Sequence, residues 1–379
     1  MANTLTNLVG ELQEAMDVVS REQTGLIMAV SKDNSAERAE LNQTIRIPVT
    51  QSQEVEDNTP GVNSPDTGDQ TVGNQTMTIN KSKHVPIRWN GEQTRGQKNN
   101  GMFSSILADQ TAQAMRALIN LIEADIASQY IYASRAYGTA GATPFASNLS
   151  DANNAKKILD DNGAPLSDRH LVINSTAGVK MRNLVTLNQA NTAGSDSLLR
   201  QGVLLPLSGM DIRESAQIKT VTKGGGTSYT STTAGFAVGV TSIPLITGSG
   251  TVLAGDVVTF TGDTNKYVVK TGIAAPGTIV LAAPGLREPL AASAVAMTIG
   301  GDFEGNMFFH RSAIQLATRM PALPDGGDLA IDVTQITDPV TGLTFEFALY
   351  PQFMQNVIHV RLAWGAKLIK PEHAGILLG

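Results

Sequence analysis

The chain has 379 residues, a formal net charge of −6 at pH 7 and 16% charged residues, so it has length for two or three domains but no excess of basic residues for gripping nucleic acid through phosphates. It contains no cysteine, which removes disulfide staples, thiolate metal sites and cysteine nucleophiles together. Residues 1–6 lack the basic and apolar regions of a secretory leader, and later apolar runs are broken before they could span a bilayer, so the expectation is a cytosolic protein with no membrane partner.

Residues 8–22 read as an amphipathic helix, with Leu8, Leu12, Met16 and Val19 on one side and Glu11, Glu14 and Asp17 on the other. Gly25 to Val30 follows, then a polar turn from Lys32 to Ser35 and a strand from Thr44 to Val49, where Pro48 suits a sheet edge. Thr50 to Gln75 carries Pro60, Pro65 and the acids Glu54, Glu56, Asp57, Asp66 and Asp69, with valines as its only apolar side chains. Such a segment cannot bury enough surface to hold itself in place. The chain returns as two strands, Thr76 to Asn80 and His84 to Trp89. A lone two-stranded ribbon is marginal in water, so this polar excursion is either a loose surface loop or an arm that orders on a neighbouring subunit. Trp89 is costly to leave exposed, and Arg88, Glu92 and Arg95 around it have the composition of an interface rim or of a solvated face.

A long helix is expected from about Phe103 to Tyr137, capped by Ser104 or Ser105 and ended by Gly138. Ile106, Leu107, Met115, Leu118, Ile119, Ile122, Ile126, Tyr130 and Ile131 form one apolar stripe, and at 1.5 Å per residue the rod is roughly 50 Å long. Asp151 to Asp161 reads as a second helix ended by Asn162 and Gly163, His170 to Ile173 as a buried strand, and Ser175 as the cap of a helix from Thr176 to Asn188. This is the α/β alternation of a small domain.

The composition changes near Thr222. From there to Gly301 the chain is rich in Gly, Thr, Val and Ala, with strand-length runs at Phe236–Val240, Val257–Thr261, Tyr267–Thr271, Thr278–Leu281 and Val295–Ile299. Turn signals at Gly255-Asp256, Gly262-Asp263, Pro276-Gly277 and Pro284-Gly285 separate them, as in a small barrel or sandwich inserted into a host domain. The host resumes with a strand from Met307 to His310 and a helical turn from Ala313 to Arg319. Leu343–Leu349 and Val357–Lys370 alternate strongly and form a final hairpin.

A search for chemistry finds little. The run Lys223 to Ser228 is Gly-rich but lacks the spacing of a phosphate-binding loop and reads as a linker. His84, His170, His310, His359 and His373 never fall at metal-ligand spacing, no Gly-x-Ser-x-Gly elbow occurs, and no acid/base pair stands out, so no catalytic, metal or cofactor residue is named. Lys81 and Lys83 invite the thought of an isopeptide bond to a neighbour's Asn, but the sequence shows no partner for it.

The order of parts resembles the major capsid protein of tailed double-stranded DNA phages, a fold also shared by encapsulins. The strings Ser35-Ala-Glu-Arg38, Pro65-Asp-Thr-Gly-Asp69, Val85-Pro-Ile-Arg-Trp-Asn90, Ser134-Arg-Ala-Tyr-Gly138, Phe309-His-Arg311, Leu316-Ala-Thr-Arg319, Trp364-Gly365 and Lys370-Pro-Glu-His373 resemble the short-tailed phage coat proteins that carry an inserted β-barrel. The resemblance implies an α+β capsid fold: an N-terminal arm (1–44), an extended loop (45–96), a peripheral domain (97–150 and 335–379) with a spine helix (103–137), an axial domain (151–221 and 302–334) and an inserted β-domain (222–301). It further implies a non-enzymatic shell subunit forming pentamers and hexamers, with a scaffolding protein and portal as assembly partners and packaged DNA held without sequence-specific contacts. Its place would be the virion, assembled in the host cytoplasm. Lys81, Lys83, Arg88, Trp89, Glu92 and Arg95 would then lie at a subunit interface. An encapsulin-like compartment and, from another class, an α/β enzyme with an accessory barrel are the competing readings.

Overall fold

The computed structural model describes residues 22–50, 55, 57–58, 60, 73–99, 103–188, 204 and 206–379. The arm helix expected over 8–22 lies outside them but for its final residue, as does most of the excursion at 50–75.

The described chain begins with a short helix, α1 (Gly25–Ala29), and a strand, β1 (Ser31–Ala39). The expected polar turn at Lys32–Ser35 is therefore wrong. Polarity misled because β1 is an edge strand whose polar side chains are used: Asp33 pairs with Arg319, and Asn34 accepts a hydrogen bond from the Thr318 hydroxyl at 2.6 Å. Next come β2 (Thr44–Val49) and β3 (Gly73–Thr78), which among the described residues pair only with each other, Ile45 opposite Met77. β4 (Lys81–Asn90) then leaves this ribbon and runs antiparallel to a later strand over its whole length.

After α2 (Gly91–Asn99) comes the long helix, α3 (Phe103–Ala127). Leu107, Met115, Leu118, Ile119, Ile122 and Ile126 are buried as the stripe requires. The helix is shorter than expected, about 37 Å at 1.5 Å per residue. Residues Ser128–Tyr132, which bring Tyr, Ile and Tyr together, wind as a 3-10 turn, and Tyr130 sets its ring edge-on to Phe303 at 6.0 Å. The chain then extends into β5 (Arg135–Tyr137), so Gly138 follows a strand rather than a helix.

α4 (Ser150–Asp161) is the expected second helix and buries Ala152, Ala155, Ile158 and Leu159, and β6 (Arg169–Ile173) is buried throughout. The next helix is split into α5 (Ser175–Arg182) and α6 (Val185–Asn188). Its cap is Asn174, not Ser175: the Asn174 side chain accepts from the Ala177 N–H at 2.9 Å. β7 (Met210–Glu214) runs parallel to β6, and β8 (Thr220–Val221) leads into the Gly-rich region.

That region holds β9 (Tyr229–Thr230), β10 (Ser242–Pro244), β11 (Val257–Phe260), β12 (Lys266–Thr271), β13 (Thr278–Leu281) and β14 (Ala296–Ile299). The expected strand at 236–240 reduces to a single bridge from Phe236 to Leu290. These strands enclose their own apolar cluster, including Tyr229, Ile243, Phe260, Tyr267, Ile279 and Leu286. β12 also pairs antiparallel with β5, which ties this β-module into the host sheet.

The host continues with β15 (Phe303–His310) and β16 (Ile314–Pro321). β16 replaces the helical turn expected at 313–319: Ile314, Leu316, Thr318 and Met320 are buried at a two-residue period. β17 (Asp332–Thr337), β18 (Thr344–Gln352) and β19 (Gln355–Leu368) follow, the last two as the expected hairpin. A further strand, β20 (Ala374–Leu378), lies between β15 and β5. One sheet therefore has the order β1-β16-β19-β18-β17 with β4 on the other side of β19, and a larger one runs β7-β6-β15-β20-β5-β12-β11-β14-β9. A single main core joins α3 to apolar residues of both, among them Phe345, Val360 and Trp364 from the first and Met307, Phe309 and Ile376 from the second.

Candidate assembly interface

Alternation assigns the two faces of the smaller sheet. On one face Val85, Ile87, Trp89, Ile358, Val360, Leu362 and Trp364 meet the core that includes α3. Asp125 of α3 fastens this face: it ion-pairs with Lys81 and accepts the Trp364 indole N–H at 2.8 Å. Trp89 is half-buried and donates its indole N–H to Gln110 at 2.9 Å. Two of the six sequence-nominated residues, Lys81 and Trp89, are thus engaged within the chain, against α3. Lys83 and Arg88 are exposed on β4, and Glu92 and Arg95 are exposed on α2.

The opposite face is polar. Glu346 is fully buried between Arg38, whose Nη2 lies 2.5 Å away, and Arg361, whose Nε donates at 3.1 Å. Arg361 continues to Asp328 at 3.2 Å and to the Tyr350 hydroxyl at 2.6 Å. A buried carboxylate flanked by two guanidiniums is compensated, whereas removing either arginine's partner would strand a charge.

At one end of this face sits the ribbon. Ile79 donates to Gln43 O at 2.9 Å and accepts from the Asn42 N–H at 2.7 Å, closing its base. Ile79 packs with Ala39, Ala363 and the half-buried Ile45. Lys367 of β19 donates to Thr76 O at 2.6 Å. Beside it, a Cβ on Gly365 would fall 2.1 Å from Thr78 O, so the ribbon can lie this close only over a residue without a side chain. Sequence reasoning missed this seat, although a glycine inside an alternating strand is the signal that marks a close backbone approach. It also missed Glu123, buried on α3, whose two oxygens each accept at 2.8 Å from the N–H groups of Leu26 and Ile27 at the start of α1. Burial pushes this carboxyl above the usual range against the pull of those donors.

His170 is buried on β6 with neither ring nitrogen hydrogen-bonded, and burial, aided by Arg311 and Arg213, pushes its pKa down to about 4. Among the described residues no cluster of three or more His, Asp or Glu side chains could hold a metal ion, and no helix is long and apolar enough to cross a membrane.

No family model and no curated protein matches the sequence. Among solved structures, one from Mycobacterium phage Che8 is similar with a TM-score of 0.52 at 14% identity, over 95% of this chain and 92% of that one. The capsid structure of the cyanophage P-SCSP1u is similar with a TM-score of 0.50 at 11% identity, over 95% and 89%. The likeness runs through nearly the whole of each chain and establishes the fold, which mixes helices and sheets as that phage capsid does.

Proposed function

We propose that this chain is a structural coat subunit, not an enzyme, and that copies of it assemble as pentamers and hexamers into an icosahedral phage head around packaged double-stranded DNA. The observation that carries the reading is a fold similar to that of a phage capsid structure over 95% of the chain. In this reading the arm is 1–44, the extended loop is 45–96, the peripheral domain is 97–150 and 335–379 with α3 and the hairpin β18–β19, and the axial domain is 151–221 and 302–334. The β-module at 222–301 is an inserted domain on that host. Among the described residues the ribbon pairs as a strand only with itself and is held to β19 through the Lys367 bond to Thr76 O, and lying over an adjacent subunit would cover the edge left free. Exposed Lys83, Arg88, Glu92 and Arg95 are the side chains left for intersubunit contact. Many modest contacts per subunit suffice, because closure makes them multivalent. The net charge of −6 suits a wall that holds DNA without gripping its sequence. A scaffolding protein and portal complete the assembly, in the host cytoplasm, and the product resides in the virion.

The test is electron microscopy with light scattering on the purified full chain, alone and with a crowding agent or scaffold-containing lysate. Closed shells, tubes or hexagonal sheets are expected. A 39.9 kDa monomer under every condition would overturn the proposal.

A further inference from the structure

A polar cleft of about 370 Å³ opens where the β-module meets the host, walled by β5, by the C-terminal half of α4 and by the turn entering β12. Its walls bring Arg135, Lys157 and Lys266 together against one carboxylate, Asp161. Arg287 stands just behind, donating to Asp161 O at 3.1 Å. In an acidic chain, such a concentration of cations from three separate elements is a local exception that asks for a counter-charge.

The cations are only partly satisfied by the protein. Arg135, 4% exposed, donates to Asn265 Oδ1 and Asn162 Oδ1 at 3.2 Å each and to Ile158 O at 3.4 Å and pairs with Asp161 at 3.5 Å, yet its buried Nε has no partner. Lys266 donates to Gly138 O, a neutral acceptor. Burial lowers the pKa of both side chains, and for Arg135 the nearby Arg287 lowers it further against the opposing pull of Asp161. Lys157 stands exposed at the rim, and Thr139, Thr264 and Asn154 supply neutral polar groups beside it.

We propose that this cleft binds a phosphate group, held by Lys157, Lys266 and Arg135, and that the bound anion pins the β-module against α4. The donors come from three walls, which suits a tetrahedral oxyanion with an oxygen for each better than a planar carboxylate with two. The volume lies near the lower end of small-ligand sites, with room for a phosphate group and for water or a small attached moiety beside it. The lysines act as point charges, whereas the arginine, locked by its amide partners, sets the orientation. Because Lys266 pairs with Ala136 across β12 and β5, an anion there bears directly on the hydrogen bonds that join module to host. The site is independent of shell assembly and is testable on soluble protein.

The experiment is calorimetric titration of the full chain with inorganic phosphate at constant ionic strength, with chloride as the reference, repeated on Lys157→Gln and Lys266→Gln. One saturable site is expected, weakened tenfold or more in each variant, together with slower hydrogen exchange at 135–139 and 264–271 when phosphate is present. A short single-stranded oligonucleotide forms the second arm. If it displaces phosphate at lower concentration, the phosphate belongs to a nucleic-acid backbone; if it does not compete, the free ion is the ligand. Heat no greater than with chloride, or binding unchanged in both variants, would overturn the proposal. Lys157 is exposed, so its variant stays informative even if Lys266→Gln perturbs folding.

Discussion

Gly365→Ala tests how the ribbon is held. The added Cβ would lie 2.1 Å from Thr78 O, 3.0 Å from Thr78 C and 3.1 Å from the Ile79 Cα. All three are backbone atoms, so no side-chain rotation relieves the clash, and an ordinary contact of about 3.4 Å requires the ribbon base to retreat by roughly 1.3 Å. Overpacking of this kind costs about 1–3 kcal/mol, and loss of the Lys367 bond to Thr76 adds about 1 kcal/mol, for a total of about 2–4 kcal/mol. Urea unfolding measures that total, and limited proteolysis locates it. Cleavage should accelerate between residues 40 and 80 while α3 stays protected, and assembly should fail before folding does. Gly96→Ala is the control: on exposed α2 its Cβ meets nothing within 4 Å, so it should gain up to about 1 kcal/mol of helix propensity. A Gly365→Ala protein with the wild-type cleavage pattern and a midpoint within about 0.5 kcal/mol of wild type would refute the reasoning.

Three further outcomes are expected. His170 has a folded pKa of about 4 against an ordinary 6.5, so it binds its proton more readily unfolded; its contribution, about 3 kcal/mol, is full above pH 6.5 and is lost as pH falls toward 4. His170→Leu should flatten that limb of the stability profile, and an unchanged acid midpoint would contradict it. Glu123→Ala leaves two buried N–H groups of α1 without acceptors and should cost about 2–4 kcal/mol, with faster hydrogen exchange at 26–27 as its signature. Trp364→Ala, emptying the largest fully buried side chain and freeing Asp125 of a partner, should cost about 3–5 kcal/mol in thermal unfolding.

The elements legible in the sequence are those whose period matches their burial. The α3 stripe, the Ala152, Ala155, Ile158 and Leu159 face of α4 and the β18–β19 hairpin all present apolar residues at the spacing their structure requires. β1 was opaque because its stability comes from Asp33, Asn34 and Arg38 reaching partners roughly 280–310 residues away, which no local pattern encodes. β16 misled because Ala317 is buried between the expected positions, which blurs a two-residue period into something helical. β20 is apolar on both sides, Ala374 to Leu378 all buried, and so carries no alternation. At the candidate interface the chemistry of Trp89 was visible but its cover was not: Gln110 offers no sequence signal, and only the fold brings it 2.9 Å from the indole.

β5 has a consequence for the order in which the chain can acquire its structure. Three residues directly after the spine turn hydrogen-bond on one side to β20, some 240 residues downstream, and on the other to β12 of the module. Until residues 374–378 are available, that side of β5 stays an open edge, and the junction between module and host is bound on one flank only. Loop-closure entropy must be met before this contact gives anything back, so the step is inherently slow. The module, with its own apolar cluster, can be complete long before then. A folding population should therefore contain molecules with a finished module on an unfinished host, and the small strand at Arg135–Tyr137 is the latch that ends that state.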